Sequence, residues 1–117
     1  MDNPFVWFDL VTSETATARR FYEQLLGWKG QDGQADPQSY LLLAEEKPFA
    51  FLKAGAAAEQ APHWVPYVRV ADVSDATKRA AALGGTVLQD QVQGPAGNYS
   101  VIEDPTGAVL ALWQPRA

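Results

Sequence analysis

Apolar and polar positions change period several times along this chain, and they do so twice in the same order. Phe5 to Thr12 is rich in aromatic and β-branched residues, as a buried strand is. Ser13 and Glu14 then offer a helix start, with an acidic group suited to the positive end of the helix dipole. Ala18, Phe21, Tyr22 and Leu25 recur at helical spacing, and Gly27 supplies a left-handed stop. In the second half Pro66 to Val70 reads as the strand and Asp72 as the cap, with Asp75 three residues on. Val73, Ala76, Ala80 and Leu83 form the apolar stripe, and Gly84-Gly85 ends it. Three short strands follow each helix: near Lys29, at Tyr40–Leu43 and Phe49–Lys53, then at Thr86–Val92, Tyr99–Glu103 and Val109–Gln114. Turns are expected at Asp32-Gly33, Asp36-Pro37, Gly94-Pro95-Ala96-Gly97 and Asp104-Pro105-Thr106-Gly107.

The order repeats without a gap when the chain is slid against itself by about half its length. Leu10 then falls on Val68, Glu14 on Asp72, Leu25 on Leu83, Gly27 on Gly85 and Phe51 on Val109. The pattern predicts an α+β domain of two tandem βαβββ modules, a curved mixed sheet around a cleft with helices on the outer face. Residues 1–53 form module one, the Ala- and Gly-rich stretch 54–62 the linker, and residues 63–117 module two, all within a single domain.

Glu14 through Trp28, with its Phe21-Tyr22 and Leu26-Gly27-Trp28, resembles the vicinal oxygen chelate superfamily, which includes glyoxalase I, bleomycin-resistance proteins and extradiol dioxygenases. Val70-Ala71-Asp72-Val73 and Glu103-Asp104-Pro105-Thr106-Gly107 carry the same resemblance into the second half. In metal-dependent members it implies ligands in the first strand and near the end of the last strand of each module. Those positions fall on Trp7 and Val65, and on Ala111 with repeat partner Lys53. Trp, Val, Ala and Lys cannot form the His and carboxylate shell of a divalent ion. No metal and no other cofactor is therefore expected. His63, the single histidine, is expected to bond backbone or water at a strand entrance.

Strand alternation places Trp7, Asp9 and Val11 on the cleft side, with Val65, Tyr67 and Arg69 by repeat symmetry. Phe49, Phe51 and Lys53 join them, opposite Val109, Ala111 and Trp113, and Tyr99 borders the opening. The candidate ligand-binding set is thus Trp7, Asp9, Phe51, Lys53, Tyr67, Arg69, Tyr99 and Trp113, and no catalytic residue is assigned. Aromatic walls with a few charges suit a planar organic compound, stacked between rings and oriented by one or two ionic contacts. Asp9 and Arg69 are alternatively a structural pair. Glu14, Asp72 and Asp75 are read as helix caps, and Arg19, Arg20, Lys78 and Arg79 as solvated helix faces.

Composition narrows the function further. A net charge of −5, with nine Lys/Arg mostly scattered, gives no clustered cationic face for nucleic acid and weakly favours a neutral or cationic ligand. No apolar run approaches the ~20 residues of a membrane span, and a signal-peptide pattern is missing at the start, so a cytoplasmic protein is expected. Zero cysteines exclude a disulfide scaffold and a thiolate nucleophile. The leading expectation is a metal-free binding protein, similar to the bleomycin-resistance branch, that sequesters or carries a planar aromatic, possibly cationic compound. The resemblance implies a homodimer. Two alternatives stay open. One is a lyase or isomerase of the glyoxalase type, metal-dependent or resting on Asp9, Glu103, Tyr67 or Tyr99 as acid or base. The other is a non-catalytic interaction domain whose cleft is closed by Trp7, Tyr67 and Trp113.

Overall fold

The computed structural model describes residues 4–32, 39–54, 61–94 and 96–116. The expected turns at Gly33 and at Asp36-Pro37, most of the linker, and Pro95 lie outside the described residues. The elements run β1 (Phe5–Val11), α1 (Thr15–Leu26), β2 (Lys29–Asp32), β3 (Tyr40–Ala44), β4 (Lys47–Lys53), β5 (His63–Arg69), α2 (Val73–Ala82), β6 (Thr86–Gly94), β7 (Gly97–Glu103) and β8 (Val109–Pro115). This is βαβββ twice over, an α+β chain with mixed strand pairing. Among the described residues no helix is long and apolar enough to cross a membrane. The chain divides into two compact units, one of Trp7–Val65 and one of Pro66 onward together with the first residues of β1.

In the first unit the strand order is β2-β3-β4-β1, antiparallel except for the parallel β4–β1 pair. Leu10, Leu42, Ala50 and Leu52 are buried beneath α1, which adds Ala18 and Tyr22. Full burial of Leu42 and Leu52 stabilises by roughly 2–3 kcal/mol each. The inward stripe of α1 is Thr15, Ala18 and Tyr22, whereas Phe21 and Leu25, expected in it, are 56% and 62% exposed. Inward positions three and four residues apart leave the adjacent residues of each turn pointing outward. Glu14 occupies the cap position without a side-chain bond to the helix. Instead, the Thr12 hydroxyl accepts the Glu14 N–H (3.2 Å).

The second unit has the same order, β6-β7-β8-β5, again with one parallel pair, β8–β5. Val73, Ile102 and Leu112 are its buried apolar centre under α2. The Asp72 carboxylate caps α2 by accepting the Asp75 N–H (3.1 Å). Gln114 on β8 reaches the same helix end, where its Oε1 accepts the Val73 N–H (2.9 Å). Leu83, expected in the stripe, is 75% exposed, and Thr77 is buried in its place. The Thr77 hydroxyl lies 2.8 Å from that of Ser100, which accepts the Gln91 N–H (2.9 Å). Gln91 has φ 49° and sits in an irregular stretch of β6, so this buried polar chain fixes the bulged strand.

Candidate functional site

The expected site residues fall on the sheet face turned away from the helix in each unit. In the first unit β1 and β4 pair Asp9 with Phe51 and Val11 with Lys53, while Leu10 and Leu52 point under α1. The Asp9 side chain is only 5% exposed, and Lys53 Nζ lies 3.4 Å from its Oδ2. Its other oxygen, Oδ1, accepts the Trp7 indole N–H (3.0 Å). A buried carboxylate is costly without such partners, so Trp7 and Lys53 are conditions for Asp9 being there. The Lys53 side chain keeps 32% of its surface exposed. Phe49 departs from the expected alternation. The β3–β4 register shifts between Leu42 and Leu43, and Phe49 joins the helix-side core, its ring 4.6 Å from that of Trp28. Trp28 also stacks on Tyr22 (5.2 Å), and Trp64 closes the group edge-on.

In the second unit β5, β8 and β7 bring Tyr67, Arg69, Trp113 and Tyr99 onto one face. Tyr67 is in register with Ala111, Arg69 with Trp113, and Trp113 with Tyr99. The Tyr67 and Tyr99 rings are 5.6 Å apart and tilted by 55°. Tyr67 is buried, Tyr99 and Trp113 are half-buried, and Arg69 is exposed. Trp113 lies against the backbone of Gly97, where a Cβ would come 2.9 Å from the indole nitrogen. Gly97 has φ 143°, a conformation that L side chains avoid. Glu103 belongs to the same strand as Tyr99 but four residues along it, roughly 13 Å away at the usual rise per residue.

These registers correct one detail of the internal repeat. Tyr67 is the counterpart of Asp9, and their neighbours are Ala111 and Phe51. Arg69 is the counterpart of Val11, and their neighbours are Trp113 and Lys53. The last strand is therefore two residues out of step with the gapless alignment, and the counterpart of Ala111 is Phe51 rather than Lys53. A slip of two preserves which face each residue uses, so the site residues stay where alternation put them.

With either counterpart the donor set does not fit a divalent ion. Trp7, Val65, Phe51 and Ala111 offer no carboxylate or imidazole, Lys53 is a cation, and the Asp9 carboxylate is taken up by Lys53 and Trp7. Among the described residues no three His, Cys, Asp or Glu come together. His63 opens β5 with Nδ1 2.8 Å from the Ala61 carbonyl oxygen.

Arg19, read from the sequence as solvated, is instead a tie between α1 and β2. Its guanidinium bonds Glu23 (3.2 Å), Asp32 (3.0 Å) and the Gly30 carbonyl (2.6 Å), and stands 4.6 Å from the centre of the Tyr40 ring. Burial works against its charge, but hydrogen bonds to Glu23 and Asp32 outweigh that and hold its pKa above the ordinary value. The Gly30 N–H, and then Arg19, hold the Glu23 carboxyl below its ordinary value. In the Asp104 turn, the Thr106 hydroxyl and the Ala108 and Thr106 N–H groups do the same for the Asp104 carboxyl.

Comparison with known proteins gives this geometry a context. The model of a family described as "Glyoxalase-like domain" matches residues 5–113. A Mycobacterium tuberculosis protein named "Putative glyoxylase CFP32" is 35% identical over 115 residues, covering 92% of this chain and 44% of that protein. "Anthracycline biosynthesis protein DauV" of Streptomyces sp. is 34% identical over 111 residues, covering 91% of this chain and 39% of that protein. The chain thus spans less than half the length of these curated relatives. A solved Vibrio splendidus member of the glyoxalase/bleomycin resistance protein/dioxygenase superfamily shares the fold, with a TM-score of 0.66 at 12% identity over 97% of this chain and 99% of that one.

Proposed function

The chain belongs to the glyoxalase-like domain family, and from that premise we propose that it is a metal-free binding protein that sequesters or carries a planar aromatic compound. The observation that carries this reading is the Tyr99–Trp113 face of the second unit. Two half-buried rings stand side by side there, backed by the buried Tyr67 ring and flanked by the exposed Arg69. A flat ligand ring laid on this face gains apolar burial plus ~0.5–1.5 kcal/mol per aromatic contact. Several such contacts reach micromolar affinity without a metal. The name of one relative, an anthracycline biosynthesis protein, agrees with this chemistry, because anthracyclines are planar fused-ring compounds. A homodimer, twice the 12.7 kDa of the chain, belongs to the same proposal and is tested by light scattering.

Calorimetric titration with a panel of planar fused-ring compounds tests the reading. Saturable binding in the micromolar range is expected for at least one ring system. A flat response across the panel, from folded protein, would refute it. The name of the mycobacterial relative favours a second reading, a glyoxalase-type lyase. Turnover of thiohemiacetals with added nickel or zinc would establish that reading instead, against the donor chemistry described above.

A further inference from the structure

We propose that the ends of β7 and β8 form a second binding site, for the carboxylate group of a small molecule, with Arg116 as its cation. An open cavity of about 270 Å³ lies there, lined by Gly97, Asn98, Gln114, Pro115 and Arg116. All five belong to the second unit. Asn98 and Gln114 are in register and alternate with Tyr99 and Trp113, so their side chains leave the strands on the side opposite the ring pair. That is the α2 side, where Ser100 meets Thr77 and Gln114 meets Val73. The cavity is thus separate from the aromatic face, and the proposal stands without the planar-ligand reading.

The side chains around this cavity are donors. The Gln114 amide is oriented by its own bond, because Oε1 accepts the Val73 N–H (2.9 Å) and the Nε2 hydrogens remain. Arg116 gives one guanidinium N–H to the Gly94 carbonyl (3.0 Å), and its backbone N–H goes to the Ala96 carbonyl (3.0 Å). These two bonds hold the residue and leave most of its five guanidinium N–H groups to a ligand. Asn98 adds a second amide. No carboxylate lines the cavity, and none among the described residues pairs with Arg116. Asp72, next to Val73, is engaged with the Asp75 N–H. A planar guanidinium fork with amide donors beside it matches a carboxylate, which takes two parallel N–H bonds. The volume lies just below the range of ~300 Å³ and upward usual for small-molecule pockets, which sets the ligand as a small one.

Titration of isotope-labelled protein with succinate at constant ionic strength, followed on the side-chain amide signals of Asn98 and Gln114, tests this. Saturable shifts of both signals are expected, with a Kd in the low millimolar range or below. Neutral succinamide, of nearly the same shape, should bind at least about ten-fold more weakly, because the charge-assisted bonds are lost. Arg116→Gln, at an exposed position, should weaken succinate at least about ten-fold. Arg69→Gln, exposed on the ring face of the same unit, should leave succinate within about two-fold of wild type. The absence of a saturable shift with succinate overturns the proposal, and so does succinamide binding as tightly. Shifts confined to signals other than those of Asn98 and Gln114, or unchanged succinate affinity in Arg116→Gln, overturn it as well. Inorganic phosphate should bind more weakly than succinate; the reverse order would overturn the carboxylate assignment.

Discussion

Replacing Gly30 by Ala isolates the tie that fastens β2 to α1. A Cβ at Gly30 would stand 2.7 Å from Arg19 Cδ and 2.8 Å from Cγ, closer than carbon atoms pack. The backbone of Gly30 is not left-handed, so Ala itself fits the strand and only the Arg19 side chain stands in the way. Moving Arg19 loosens its bonds to Glu23, Asp32 and the Gly30 carbonyl, and its stacking on Tyr40. The ion pairs are weak, about 0.3–0.5 kcal/mol each, because the Asp32 side chain is 82% exposed and the Glu23 contact is an i,i+4 helix pair. The carbonyl bond and the cation–π contact are the larger losses, and the whole network contributes about 2 kcal/mol. Against that, Gly→Ala stabilises by about 0.4–1 kcal/mol through the unfolded chain. Urea unfolding should therefore show Gly30→Ala destabilising by about 1–2 kcal/mol in wild type. In an Arg19→Ala background it should be neutral or stabilising by about 0.5 kcal/mol. Equal destabilisation in both backgrounds would refute the argument, since the obstacle would then lie in the strand and not in Arg19.

Two further outcomes follow from the structure. Gly97→Ala should destabilise by at least about 2 kcal/mol in urea titration. Its φ of 143° disfavours any Cβ, which would also come 2.9 Å from both Pro115 Cα and Trp113 Nε1. On acidification, Glu23 and Asp104 both have folded pKa values below their unfolded ones. Their stability is complete well above the unfolded value of about 4 and is lost as pH falls from there through the folded value, so the urea midpoint should fall as the pH drops below about 4. Glu23→Gln should flatten part of that fall.

The chain disclosed its fold through periodicity, and most of the candidate site through strand alternation. The Tyr67, Arg69, Ala111 and Trp113 pairing on one face is what a period of two requires. Alternation failed at Phe49, because that residue is the extra one of β4 between the Leu42–Ala50 and Leu43–Pro48 pairs, and such a bulge leaves no mark in the hydrophobic pattern. Arg19 escaped notice for a different reason. Its partners Gly30 and Asp32 are more than ten residues away, and nothing about an arginine on a helix says that a glycine strand passes beneath it. The clue present in the sequence was Gly30 itself, a small residue inside a strand, which signals close approach of another group. Phe21, Leu25 and Leu83 look like core from the sequence because they are apolar and fall at about helical spacing. A short helix, however, has room for only a narrow inward stripe. Strand alternation puts Lys53 on the same face as Asp9, but their pairing needs the parallel β1–β4 register.

Ligand titration of paired tryptophan variants tests the proposed seating of a planar ring on Tyr99 and Trp113. Trp113→Leu removes a ring from that face, whereas Trp28→Phe alters a ring packed in the core of the first unit. For any fused-ring probe that binds wild type, Trp113→Leu should weaken binding by about ten-fold or more, with Trp28→Phe within about two-fold of wild type. Undiminished affinity in folded Trp113→Leu would contradict this seating and put the bound ring elsewhere on the chain.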